Sequence, residues 1–148
     1  MRLIAVGRMK DQAEKALLDR YVKRLRPVLE VIELPDGRGT PPEIKRQEAR
    51  AILAACPPQA YVIALDESGT HGQSVAFAQA LQKWQGQGRL LCFVIGGAEG
   101  LDTSIRRRAD YCLSLGLLTW PHRLVRIMLV EQLYRAQTII AGHPYHRA

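Results

Sequence analysis

Five short apolar runs alternate with five amphipathic stretches along this chain, and that alternation constrains the fold more than any motif. The runs cover residues 1–7 (MRLIAVG), 28–34, 61–65 (YVIAL), 90–95 and 111–115. Each is apolar nearly throughout and is bounded by glycine, proline or a polar turn, as strands buried on both faces are. Between and after them, residues 11–25, 43–55, 74–84, 102–109 and 123–141 read as helices. The first carries Ala13, Ala16, Leu17, Tyr21 and Leu25 on one face and Lys15, Arg20, Lys23 and Arg24 on the other, with Pro27 ending it. Ser74 is placed to cap the third helix. In the last helix Leu124, Ile127, Met128, Glu131, Tyr134 and Arg135 recur at spacings of three and four. Strands that alternate with helices in this way predict an α/β domain, with a mainly parallel sheet covered by helices on both faces.

The 148 residues suffice for one domain with an ordinary hydrophobic core, and no linker or repeat divides them. The formal net charge of +7, from 21 Lys and Arg against 14 Asp and Glu, favours a polyanionic partner such as nucleic acid. Cys56, Cys92 and Cys112 form no CxxC pair, and Cys92 and Cys112 read as small core residues of a reducing compartment. No run approaches the roughly 18 apolar residues of a membrane span, and the start lacks a signal-peptide pattern. A cytoplasmic protein is expected.

In open α/β sheets, ligands sit beyond the carboxyl ends of the strands, which directs attention to the loops after Leu65, Ile95 and Leu115. The turn Gly96-Gly97-Ala98-Glu99-Gly100 allows close backbone approach to a ligand. It is not GxGxxG, and no GK[ST] occurs, so neither a dinucleotide fingerprint nor a P-loop is present. Glu99 stands where a helix start would otherwise welcome a phosphate, so the turn suits a ligand that is neutral or positive there. Its plain alternative is an acid favoured by the helix dipole. Residues 113–122 (LSLGLLTWPH) follow no period, and a buried loop must pair its backbone groups with neighbours or with a ligand such as adenine. The alternative is a strand running into a loop that covers the core.

The chain closes on His143-Pro144-Tyr145-His146-Arg147-Ala148. His143 and His146 have HxxH spacing, but Pro144 lies between them and no comparable third ligand is near, so no metal is expected. An aromatic ring flanked by imidazole and guanidinium suits stacking on a nucleobase and contact with phosphate. A terminus docked on its own domain is the alternative. Arg106-Arg107-Arg108 and the basic face of the first helix are two further candidates for tracking an RNA backbone.

Taken together, VIGGAEGL, SLGLLTWPHRLVRIMLVEQLYRA and the terminal HPYHR resemble the bacterial large-subunit rRNA methyltransferase H family, a minimal branch of the SPOUT (α/β-knot) methyltransferases. The likeness spans essentially the whole chain. It implies a single SPOUT domain over residues 1–148, with a trefoil knot formed by about residues 90–148, an exception to the rule that chains avoid threading. It also implies a homodimer that binds S-adenosylmethionine and methylates N3 of a pseudouridine in a 23S rRNA stem-loop within the assembled ribosome. By motif, the cofactor contacts fall on Leu65, Gly97, Gly116, Leu117, Leu118, Thr119, Trp120 and Pro121. His143, Tyr145, His146 and Arg147 fall on the substrate side, where His143, Tyr145 and His146 are the candidates for handling the imide proton. Ala98 stands where the family more often has proline, and Trp120 where a smaller apolar residue is common. The positive sulfonium agrees with the acid at Glu99. The main rival is a non-catalytic RNA-binding or ribosome-assembly protein of the same fold, which leaves the glycine turn and the 116–121 loop without a task.

Overall fold

A computed structural model describes residues 1–146 of the chain. Its elements run β1 (Arg2–Val6), α1 (Gln12–Val22), β2 (Glu30–Leu34), α2 (Pro41–Ala55), β3 (Tyr61–Thr70), α3 (Ser74–Gln85), β4 (Leu91–Ile95), α4 (Thr103–Arg108), β5 (Tyr111–Leu113) and α5 (His122–Ile140). The strands form one sheet in the order β2-β1-β4-β3-β5, and every neighbouring pair is parallel. One row of partners crosses it from Val31 through Leu3, Phe93 and Ile63 to Tyr111.

Side chains alternate across the strands, so two cores form. Leu3, Ala5, Ile63, Leu65, Phe93 and Ile95 pack beneath α1, α3 and α5, with Leu18, Leu81, Trp84, Leu129, Val130 and Leu133. Ile4, Val6, Val62, Ala64, Cys92 and Val94 pack on the other face with Ala49 and Ile52 of α2 and Ile105 of α4. Full burial of each large aliphatic side chain contributes about 1.5–3 kcal/mol. Helices therefore cover both faces, as the alternation predicts. This sheet order is compatible with the threading that the resemblance implies for the last third.

Several boundaries differ from the sequence reading. Pro41 and Pro42, which lie before the helix expected over 43–55, open α2, where a missing N–H costs nothing. Thr40 caps that start, and its hydroxyl and amide both donate to Glu43 Oε2 at 2.8 Å. The polar stretch after Leu65 is not a free turn, because β3 runs on to Thr70 across a bulge, and Thr70 pairs with Leu113. Helix α1 stops at Val22, three residues before the expected end, and Leu25 packs into the core from the following turn. Gln73, not Ser74, is the cap residue of α3, and the Ser74 hydroxyl donates to Gln132 Oε1 at 2.8 Å.

The buried face of α5 also differs. Arg126, Leu129, Val130, Leu133 and Ala136 point inward, whereas Leu124 is exposed and Met128, Glu131, Tyr134 and Arg135 are half-buried. Of the expected stripe Ile127 is buried as anticipated and the rest is rotated toward the rim, while the true buried face includes an arginine.

Candidate functional site

The carboxyl ends of β3, β4 and β5 open into a cleft of about 740 Å3. Seven of the eight residues expected to hold a cofactor line it: Leu65, Gly97, Gly116, Leu118, Thr119, Trp120 and Pro121. Leu117 does not; its side chain is turned to solvent, 84% exposed. The wall from Ser114 to Pro121 is mostly backbone. Gly116 sits at φ +118°, a conformation that side chains disfavour, and nothing lies within 4 Å of where its Cβ would be. The Ser114 hydroxyl stabilises this turn by donating to the Gly116 carbonyl at 2.8 Å and accepting from its amide at 3.2 Å. Among the described residues, the amides of Leu117, Leu118 and Thr119 donate to no protein acceptor. They remain available to a ligand with acceptor edges, such as a purine.

The glycine turn forms the opposite wall, and a buried acid fixes it. Glu48 on α2 is 4% exposed, and its carboxylate accepts from the Gly37 amide at 3.1 Å and the Gly97 amide at 3.3 Å. A Cβ on Gly97 would stand 2.9 Å from Glu48 Oε1, so only glycine allows this approach. Glu48 thereby joins the loops after β2 and β4 through their backbones. Unpaired carboxylates are almost never this buried, because desolvation is costly without hydrogen bonds.

A second buried charge anchors α5, whose first residue, His122, lines the cleft. Arg126 is fully buried beneath the first turn of α5, donates to the Val6 carbonyl, and lies 3.3 Å from Glu33 Oε1. Burial pulls its pKa down, and Glu33 and Asp36 oppose that shift. The contact ties the start of α5 to the end of β1, and so fixes Pro121 and His122 over the cleft. Burial, with Arg126 and Arg123 nearby, holds the His122 imidazole below its ordinary range, toward the neutral form.

The acids at the cleft have distinct states. Burial alone would raise the Asp66 carboxyl, but Ser68 and Arg106 outweigh it and hold the pKa low, with Arg106 Nε 3.0 Å away. Glu67 accepts from the Thr119 hydroxyl at 3.4 Å, and Glu99 lines the glycine wall. Helix α4 begins only at Thr103, with Asp102 as its cap, so Glu99 lies in the turn and is not a helix-start acid. The cleft lining thus combines free backbone donors with carboxylates. That donor set suits a ligand with a purine edge and a positive centre, and S-adenosylmethionine has both.

The tail lies elsewhere. The Tyr145 hydroxyl donates to Glu131 Oε1 at 3.2 Å, and its ring meets Tyr134 edge-on at 4.8 Å. The Arg135 guanidinium lies 5.1 Å from the centre of the Tyr145 ring and 3.5 Å from His146 Nδ1. His143 is exposed, and its Nδ1 accepts from the Tyr145 amide at 3.2 Å. Arg147 lies outside the described residues. The terminus is therefore docked on its own domain, against the middle of α5. Glu131 follows His122 by nine residues, a rise of about 13.5 Å at 1.5 Å per residue. Glu131 belongs to a neighbouring apolar hollow of about 560 Å3, lined by Leu17, Tyr21, Phe77 and Met128. The structure brings the expected cofactor residues together, and it brings the described tail residues together, but it does not bring the two groups into contact.

Sequence reasoning missed Glu48 and Arg126. Their signal was faint: a single charge among the inward positions of an amphipathic helix. Glu48 sits beside Ala49 and Ile52, and Arg126 beside Ile127 and Val130.

Comparison with known proteins agrees with this architecture. A family model described as a predicted SPOUT methyltransferase matches residues 1–146. The chain is 57% identical to the ribosomal RNA large subunit methyltransferase H of Gluconacetobacter diazotrophicus, covering 100% of this chain and 97% of that protein. It is 56% identical to the protein of the same name from Acidiphilium cryptum, covering 100% and 94%. Among solved structures, a probable methylase family protein from Haemophilus influenzae Rd KW20 shares the fold, with a TM-score of 0.60 at 10% identity over 99% of this chain and 70% of that one. The chain belongs to the SPOUT methyltransferases, within the ribosomal RNA large subunit methyltransferase H family.

Proposed function

We propose that this protein is an S-adenosylmethionine-dependent methyltransferase of large-subunit rRNA, acting on N3 of a pseudouridine in a 23S rRNA stem-loop within the assembled ribosome. The observation that carries this reading is the cleft itself: amides of Leu118 and Thr119 that no protein acceptor takes up among the described residues belong to a lining that also bears Glu67 and Glu99. Leu65, Gly97 and residues 116–121 hold the cofactor, chiefly through backbone. Bound there, S-adenosylmethionine supplies a methyl group activated by a sulfonium for in-line displacement. The names of the 57% and 56% identical relatives support rRNA as the substrate class.

The tail's chemistry follows from its protonation. Burial first, then Tyr21 and Glu131, push the Tyr145 hydroxyl up to about 12, so at neutral pH it keeps its proton and donates. His143 Nδ1 accepts from an amide, and His146 Nδ1 faces a guanidinium that can only donate. In their neutral forms both rings therefore carry the proton on Nε2. The tail presents donors, not bases. The Tyr145 proton is held by Glu131. The Nε2–H groups of His143 and His146 are therefore the donors left free to stabilise the target ring once its imide proton has gone to solvent and its charge rests on the two carbonyl oxygens. Arg147 adds a phosphate or carbonyl contact.

Because the tail docks against mid-α5 and not on the cleft, the working site is composite. The tail of one subunit of a homodimer meets the cleft of the other. The test is a methylation assay on whole ribosomes, free 23S rRNA and 30S subunits, with and without prior pseudouridylation. The reading expects transfer to ribosomes that carry pseudouridine. Equal transfer to free RNA or to unmodified uridine would overturn the substrate assignment. The absence of S-adenosylmethionine binding in calorimetry would favour a non-catalytic RNA-binding role.

A further inference from the structure

The sequence offers two basic stretches as RNA contacts, and the structure separates them. The run Arg106-Arg107-Arg108 is largely committed inside the fold. Arg106 pairs with Asp66 at 3.0 Å and donates to the Leu101 carbonyl at 3.2 Å. Arg108 pairs with Asp110 at 3.3 Å and donates to the carbonyls of Pro58 and Ala60. Only Arg107 of the three has no such partner among the described residues.

The end of α1 differs. Arg20, Lys23, Arg24 and Arg26 are all exposed, and among the described residues none lies within 4.0 Å of a carboxylate. Of the acids on the same helix, Glu14 is taken up by Arg123 at 3.7 Å, and Asp19 is half-buried. The Arg26 guanidinium donates to the carbonyls of Lys23 and Leu25, which orients it without neutralising it. Its backbone amide is held by Gln137 Oε1 at 3.0 Å, which fixes this edge against α5.

This edge is also continuous with the tail. Arg24 lies 5.6 Å from the centre of the Tyr134 ring, Tyr134 meets Tyr145 at 4.8 Å, and Arg135 lies against Tyr145 at 5.1 Å. Tyr21 joins the group from α1 at 6.1 Å. Two arginines and three tyrosines therefore form one cluster, whose inner end is the tail and whose outer end is the free basic edge. Wherever the tail is carried against a nucleotide, the edge goes with it.

We propose that Arg20, Lys23, Arg24 and Arg26 form the surface that grips the phosphate backbone of the rRNA stem-loop beside the target nucleotide. This rests on the reading of the tail as the substrate side. Long, exposed cations that meet phosphates release counterions, so log K falls with log salt by roughly 0.7–0.9 per phosphate neutralised. The cleft and its ligand are not part of this surface.

The experiment uses the full-length protein with Arg20→Gln, Lys23→Gln and Arg24→Gln combined. A matched variant loses three exposed cations elsewhere: Arg46→Gln, Arg50→Gln and Lys83→Gln. Ribosome binding is measured against salt, together with KM for ribosomes and calorimetric affinity for S-adenosylmethionine. The edge variant should show a salt slope shallower by about 2 and a KM about 10-fold higher or more, with cofactor affinity unchanged. Arg24→Lys, which keeps the charge but loses the planar stack, should retain the slope. The proposal is overturned if the matched variant loses as much as the edge variant, or if the edge variant keeps its slope and KM. Failure of the tail reading is distinguishable. Removal of residues 143–148 would then leave transfer intact, while the edge variant still weakened ribosome binding.

Discussion

The cleft owes its shape to charges hidden beneath it, whereas the tail is held by polar and aromatic contacts, chiefly on α5 with Tyr21 of α1 beside them. Glu48 and Arg126 are both nearly inaccessible, and each joins elements far apart in the chain: α2 to the glycine turn, and α5 to β1. Among the described residues, the tail reaches back mainly to Glu131, Tyr134, Arg135 and Thr138 of the helix just before it, with Tyr21 of α1 beside Tyr145. A site preorganised by remote buried groups resists loss of any one surface contact, whereas a docked terminus is released by a few local changes. The difference suits one half-site that holds a cofactor in a fixed shape and another that must meet a second macromolecule.

Removing residues 143–148 should separate the halves most sharply. Methyl transfer is expected to fall by roughly 10²–10⁴-fold, the range for losing a positioning and hydrogen-bonding group, while cofactor affinity changes little. Single-turnover assays and calorimetry would show this, and equal loss of both would mean the tail is structural. Gly97→Ala should act in the opposite sense. Its methyl group would stand 2.9 Å from Glu48 Oε1, and overpacking of about 1–3 kcal/mol should weaken cofactor binding about 10-fold or more. The tail stack should survive, as reported by Tyr145 fluorescence or ring shifts.

Glu48→Ala leaves the buried Gly97 amide and the half-buried Gly37 amide without an acceptor, at about 1–3 kcal/mol, or roughly 2–4 °C in Tm for each kcal/mol. Glu48→Gln keeps one acceptor oxygen and should lose about half as much. If both variants melt like the parent, Glu48 does not hold the turn. The smallest effect concerns pH. The folded His122 pKa lies below 6.5, so its contribution to stability is complete above pH 6.5 and is lost as the pH falls through the folded value. His122→Asn should flatten the acid side of the Tm–pH curve, and an unchanged curve would remove His122 from the account.

The parts of the fold that local pattern controls were legible in the sequence. β1 and β4 are apolar at nearly every position because both faces are covered, and only a buried parallel strand gives such a run. The cleft was legible because fold topology places ligands beyond the strand ends, where Gly97 and Gly116 lie. The extension of β3 was hidden because Asp66–Thr70 is polar, and its pairing to Leu113 is non-local. The buried face of α5 was misread because Arg126 counts as polar by type, while its partners, Val6 and Glu33, lie about 90 residues or more away. Leu117 was expected at the cofactor by motif, but it does not line the cleft and its side chain is turned to solvent, which a motif match by position does not reveal.

The central claim is that one chain carries two half-sites that meet only across a dimer. Mixed dimers of two inactive variants test it directly: Gly97→Leu, a side chain large enough to block cofactor binding altogether, with an intact tail, and the parent cleft without residues 143–148. In a two-fold dimer formed by random exchange, about half the dimers are mixed, and each of those has one complete site. The account predicts recovery of about a quarter of the parent transfer activity, with neither variant active alone. Mixed dimers that form, as shown by native mass spectrometry, yet stay inactive would contradict it and place the tail on its own subunit's cleft.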